Sequence, residues 1–188
     1  MAVLQSMKTP TMLTISDFQS AFIKRIKSLV TGYDEAHVVF DNYLDQSLKN
    51  ETRRKQAVSS TEFEIHPQMK FTMSLKDILS STKSKRSVTA LCAEALLKES
   101  NSSVRLVMVY GTKIKSLDSE EEHAHEEADT LIPHQVLASV DESQWQEISV
   151  WSPDTDVLTL LLDLVSHGLL WSHSLTSLKF LTGKGNKH

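Results

Sequence analysis

Apolar residues recur at helical period through Phe18, Phe22, Ile23, Ile26 and Val30, which predicts a first helix. Its start is placed at Ser16, because Ser16 and Gln19 have capping-box spacing, and Gly32 stands where a C-terminal cap belongs. The short apolar run AHVVFD, residues 36–41, predicts a buried strand ending in an acid. Residues 43–57 are polar and basic and read as partly helical, and 58–72 as extended chain or loop. Ser74 and Asp77 have the spacing to open a short helix, and residues 86–99 carry a second helical pattern.

VRLVMVYG, residues 104–111, predicts another buried strand. The acidic run DSEEEHAHEEAD follows and reads as a solvated loop, with TLIPHQVLASV after it helical in pattern. EISVWS predicts a strand, DVLTLLLDLVSHG a buried helix or longer buried segment, and SLKFLTG a last apolar run. Strands alternating with helices imply an α/β fold with a mostly parallel sheet covered on both faces. Ligands in such sheets bind outside the carboxyl ends of the strands.

Composition narrows the class only a little. At 188 residues, 40% hydrophobic and 23% charged, the chain has the make-up of one ordinary globular domain, expected to span 1–188. No apolar run reaches the roughly 18 residues of a membrane span, so no membrane partner is expected. The start lacks the basic and apolar pattern of a secretory signal. The single cysteine, Cys92, excludes an internal disulfide framework and suits a reducing compartment, so cytoplasm or nucleus is the expectation. Cys92 lies on an apolar helix face and reads as a small buried hydrophobe; Met108 reads as core. Trp145, Trp151 and Trp171 read as core or partly buried packing. A net charge of −4 means that any nucleic-acid partner must meet a local basic patch.

Candidate chemistry lies in three acidic sites: Asp41; Glu126, Glu127 and Asp129; and Asp154 with Asp156. Converging carboxylates repel one another unless cations neutralise them, and hard divalent ions with oxygen ligands do this. Two such ions about 4 Å apart would clamp the attacking and leaving oxygens of a phosphodiester. In extended chain Asp154 and Asp156 would share a side. Glu127 and Asp129 would diverge by roughly 200° inside a helix. Pro133 favours a helix start near Asp129 or Thr130, leaving both acids in an extended lead-in. Taken singly, Asp41 reads equally as a turn or capping residue, and a lone Asp-x-Asp is common to several enzyme classes. His123 and His125 read as exposed histidines rather than zinc ligands, and Lys49, Arg53, Arg54 and Lys55 as a solvated helix face.

The order of the blocks adds to this. VVFD followed by QSLKNETRRK, then EEAD before a helix, then a strand into Ser-x-Asp-x-Asp, resembles the flap-endonuclease branch of the PIN-like nucleases. More closely, VVFDNYLDQSLKNETRRK, HEEADTLIPHQ and SPDTDVLTLLL resemble a group of largely uncharacterised, multicopy animal proteins linked to mobile elements. The resemblance covers nearly the whole chain. It implies a PIN-like three-layer α/β/α fold and Mg²⁺- or Mn²⁺-dependent hydrolysis of DNA or RNA with one or two ions. Asp41, Glu127, Asp129, Asp154 and Asp156 would then be metal ligands, with Asp154 and Asp156 central to catalysis. Lys49 would contact the scissile phosphate, and Arg53 and Arg54 would continue the nucleic-acid contact. The family's opening Asp-bearing strand has no counterpart in MAVLQSM, and its later Gly-x-Asp block none before TGKGNKH. A missing first strand, unpaired strand edges and weak or lost activity are therefore expected, with a non-catalytic nucleic-acid- or protein-binding remnant as the alternative.

Overall fold

The computed structural model describes residues 7, 12–41, 65–70, 74–79, 81–99, 103–124, 127–142, 145–170 and 174–182. The chain is mixed α/β and gathers into two compact units, residues 3–126 and residues 127–188. No helix among the described residues is long and apolar enough to cross a membrane.

In the first unit, helix α1 spans Ile15–Leu29 and buries Ile15, Phe18, Gln19, Phe22, Ile23 and Ile26. Its cap is Thr14, two residues before the position expected from sequence. Both spacings are legal, and tertiary hydrogen bonds decide between them. The Ile15 and Ser16 amides donate to the carbonyls of Met69 (2.9 Å) and Pro67 (2.8 Å). The Asp17 amide donates to Thr14 Oγ1 at 3.2 Å, and Asp17 Oδ2 accepts from the amides of Leu13 and Thr14. The donors that open the helix are thus satisfied. The Thr14 amide, then the Leu13 amide and the Thr14 hydroxyl, hold the Asp17 carboxyl below its ordinary range.

Strand β1, Glu35–Val39, pairs in parallel with β2, Arg105–Tyr110, from Glu35↔Arg105 to Val39↔Val109. Between them run the short helix α2, Leu75–Ile78, capped by Ser74 as its spacing with Asp77 predicts, and α3, Thr82–Lys98. A crossover of this kind is what a parallel pair requires. The core joins Phe18, Phe22, Ile78, Val88, Cys92, Leu96 and Met108. Phe22 and Phe40 stack at a tilt with centroids 6.1 Å apart. Gln19, buried on α1, donates from Nε2 to the Leu91 carbonyl at 2.9 Å, so α1 and α3 are joined by a satisfied polar contact.

The sheet continues β1-β2-β3-β4, with β3 at Lys113–Lys115 and β4 at Glu120–Glu122, both junctions antiparallel. This corrects the loop expected for the acidic run at Glu120–Glu122. Its strand is held by charge rather than by apolar alternation, for Glu120 bridges Lys113 and Lys115. Ser116 builds the turn, its Oγ accepting from the amides of Asp118 and Ser119. His123, expected to be exposed, is half-buried, and its amide donates to the Thr112 carbonyl at 2.8 Å. His125 lies outside the described residues.

In the second unit, α4 spans Ala128–Glu142, β5 Glu147–Trp151, α5 Thr155–Ser166 and β6 Ser177–Leu181. The last apolar run is therefore a strand, pairing in parallel with β5 from Glu147↔Ser177 to Trp151↔Leu181, with α5 as its crossover. Ile148, Val150, Leu178 and Phe180 pack against a core of Val136, Val140, Val157, Leu161, Leu170 and Leu175. Trp151, expected to be packed, is 45% exposed, as its partner Leu181 is at 42%. Strand alternation puts both on the face opposite that core. Trp145 is half-buried, and Trp171 lies outside the described residues. Helix α5 ends in a paired cap, with Leu169 N donating to Leu164 O and Gly168 N to Val165 O, both at 3.0 Å. Gly168 has φ +73°, the left-handed conformation this cap needs.

Candidate functional site

Each group of acids is set by a local backbone feature. Asp41 follows β1 directly, after Phe40, whose amide donates to the Val109 carbonyl at 2.8 Å. It therefore stands at the carboxyl end of β1, beside the carboxyl end of β2. There a cleft of ≈ 170 Å³ is lined by Asp41, Arg86, Thr89, Tyr110, Gly111 and Lys113, among others. Gly111 opens the two-residue turn to β3 at φ +58°. Burial, reinforced by the charge of Glu94, pushes the Tyr110 phenol above its ordinary range. At the cleft's edge Lys113 donates to Glu120. Hydrogen bonds from Lys113 and then Lys115 hold the Glu120 carboxyl at about 2.

In the second unit, Ser152, Asp154 and Asp156 form one chain of local hydrogen bonds. The Ser152 amide donates to the Leu181 carbonyl at 3.2 Å, and Ser152 is 6% exposed. Ser152 Oγ accepts from the Asp154 amide at 3.1 Å, and Asp154 Oδ1 accepts from the Asp156 amide at 3.0 Å. Asp154 is the N-cap of α5, and Asp156 lies in its first turn. The extended arrangement expected for this pair is thus corrected. Strand β5 ends at Trp151, and the Ser-x-Asp-x-Asp spacing serves the turn into a helix. Both carboxylates are exposed, beyond the carboxyl end of β5.

Helix α4 starts at Ala128, one residue earlier than the start placed by Pro133. The Glu127 carbonyl accepts from the amides of Thr130 (3.3 Å) and Leu131 (3.1 Å) and from Thr130 Oγ1 (2.9 Å). Glu127 therefore lies just outside the helix and Asp129 within its first turn, where Asp129 Oδ1 accepts from the Thr130 amide at 2.8 Å. Both are half-buried. The expectation that both acids lie in one extended segment is corrected accordingly. Glu126, Lys49, Arg53, Arg54 and Lys55 lie outside the described residues. Among the described residues, no three His, Cys, Asp or Glu side chains gather as a group able to hold a metal ion.

Arg86, Thr89 and Lys113 line the cleft but carry no motif that marks them in the sequence. One signal was legible there. Lys83, Lys85 and Arg86 crowd the start of α3, whose first turn contains no acid, although the helix dipole disfavours cations at that end. No family model matches the chain, and neither does any curated protein or solved structure compared with it.

Proposed function

We propose that the chain is a nuclease-type domain of the class that hydrolyses phosphodiester bonds of DNA or RNA with Mg²⁺ or Mn²⁺, with its own activity weak or lost. The observation that carries this reading is the placement of acids. Asp41 and the Asp154–Asp156 pair each stand beyond the carboxyl end of a strand in a parallel pair, where α/β folds bind ligands. The finer fold assigned with it is the PIN-like three-layer arrangement with a mostly parallel sheet. The donor set fits a hard divalent ion, being all carboxylate oxygen.

The candidate ligands of the second unit are Asp154 and Asp156, with Glu127 and Asp129; Asp41 is a separate candidate in the first unit. When bound, such an ion supplies positive charge at the phosphate and an activated water. The chain's own part is to bind and orient. Lys49, Arg53 and Arg54 take the phosphate backbone, and the Ser152 hydroxyl fixes the Asp154 backbone so that both exposed carboxylates of α5 face solvent at its N-terminus. Hydrolysis forms one bond from water oxygen to phosphorus and breaks one P–O ester bond, leaving a hydroxyl and a phosphate monoester.

A second reading, nucleic-acid binding without hydrolysis, is favoured by a different observation. Asp154 is the N-cap of α5 and its Oδ1 accepts the Asp156 amide, a capping role that accounts for it without a metal. Calorimetric titration of Mg²⁺ and Mn²⁺, beside cleavage of labelled DNA and RNA, separates the two. The parent should bind metal and cleave weakly at most, and Asp154→Asn/Asp156→Asn should do neither. Unchanged cleavage in that variant would sink the site assignment, and binding of nucleic acid without metal binding would select the second reading.

A further inference from the structure

We propose that the outer edge of β5 is a self-association surface, at which a second copy of this chain adds its own β5 antiparallel to form a continuous sheet β6-β5-β5-β6. The proposal concerns the second unit alone and does not depend on the hydrolytic reading above.

The backbone shows which edge is bare. Ser177 N donates to the Gln146 carbonyl at 3.1 Å and Ser152 N to the Leu181 carbonyl at 3.2 Å, so the even-numbered residues of β5 turn their peptide groups toward β6. Glu147, Ser149 and Trp151 therefore turn theirs outward, and no strand among the described residues pairs with them. A two-stranded sheet is marginal by itself, and parallel strands are ordinarily the inner part of a larger sheet. Here the pair stands with Trp151 and Leu181 exposed on the face turned from its core.

Symmetry and charge select a second copy as the occupant. A two-fold dimer needs a self-complementary patch. Antiparallel pairing of β5 with itself about Ser149 uses the whole strand, setting Ser149 against the partner's Ser149 and Glu147 against the partner's Trp151. Both are hydrogen-bonded pairs, because these are the residues whose peptide groups face outward. Serines directly opposite one another are a compatible cross-strand pair, and Glu147, the one charge on the strand, is already neutralised by Lys179 at 2.7 Å. The outer edge of β6 excludes the same arrangement. Its outward peptide groups are those of Leu178 and Phe180, so full overlap sets Lys179 against the partner's Lys179 in a non-hydrogen-bonded pair, the closer of the two kinds. Like charges so placed repel, and an edge lysine is a natural guard against strand addition. The β5 sequence, EISVW, has no lysine and no proline.

One short strand edge buries far less than the roughly 1,600 Å² of a standard interface, so the dimer is of micromolar affinity or weaker, and sedimentation velocity of the full chain should extend to about 300 µM. Ser149→Lys and Ser149→Glu should each weaken dimerisation about fivefold or more, because like charges then face each other across the axis. An equimolar mixture of the two variants should recover at least the parent's affinity, since opposite charges meet in the mixed dimer. Amide hydrogen exchange of the unaltered chain is the second measurement. The Ser149 and Trp151 amides should become protected only as concentration rises, while those of Leu178 and Phe180 stay open. A parent that remains monomeric overturns the proposal, as do single variants that associate like the parent or a mixture without recovery. Outward β5 amides that stay open at high concentration overturn it whatever the variants do.

Discussion

Asp154 invites two explanations, a metal ligand and a helix cap, and one pair of substitutions separates them. Its Oδ1 accepts the Asp156 amide at 3.0 Å, satisfying one of the donors that opens α5. Asparagine keeps an oxygen at that position and caps about as well as aspartate, whereas alanine leaves the amide to water at a cost of about 1 kcal/mol. Residues 127–188 form a unit of the size for which that loss lowers Tm by about 4–8 °C. Thermal unfolding followed by circular dichroism in EDTA should therefore rank the parent and Asp154→Asn together and Asp154→Ala below them. Added Mg²⁺ should then raise the Tm of the parent alone, because a ligand of the native state stabilises by mass action. An Asp154→Ala chain as stable as Asp154→Asn in EDTA would refute the capping argument.

Three further outcomes are expected. The His37 hydrogen bond, with a smaller contribution from Arg105, holds the Glu35 carboxyl below its ordinary range despite partial burial. A depressed folded-state pKa contributes stability above the unfolded value, near 4.5, and loses it as pH falls through the folded one. Urea unfolding of Glu35→Gln should accordingly show a flatter dependence on pH below that value than the parent, and an unchanged acid limb would contradict the pairing. Gly168→Ala should cost about 1–2 kcal/mol in chemical denaturation, because φ is +73° while nothing lies within 4 Å of the added Cβ. Burial pushes the Cys92 thiol to about 12, so a thiol reagent should label the native chain only at the rate of unfolding, and rapid native labelling would place Cys92 elsewhere.

The elements that sequence revealed best are those whose burial writes a pattern. Residues 104–111 read as a buried strand because Leu106, Val107, Met108, Val109 and Tyr110 are all buried. The β3–β4 hairpin escaped notice because Lys113, Lys115 and Glu120 stabilise it across strands, and a pairing of that kind leaves no apolar period. The α1 cap was misplaced by two residues because Thr14–Asp17 and Ser16–Gln19 have the same spacing, and only the carbonyls of Pro67 and Met69 choose between them. At the acidic sites, the strands leading to Asp41 and to Ser152 were legible, but side-chain direction was not. Asp154 and Asp129 bond to backbone amides of their own helices, and such local hydrogen bonds override the alternation of extended chain. Arg86 and Thr89 were hidden inside an apolar helical pattern that was read for its core face alone.

The parallel pairing of β1 with β2 sets a schedule for synthesis. Glu35 and Arg105, joined at the first register position, stand 70 residues apart. At a ribosomal rate of roughly 5–20 residues per second, β1 emerges about 4–14 s before its partner. Hairpins form within microseconds, so the β2–β3–β4 ribbon closes almost as soon as it is made, while β1 waits. The cap of α1 draws on the carbonyls of Pro67 and Met69 and so also waits, and exposed charges such as Lys24, Arg25 and Asp34 keep the early segment soluble during the interval.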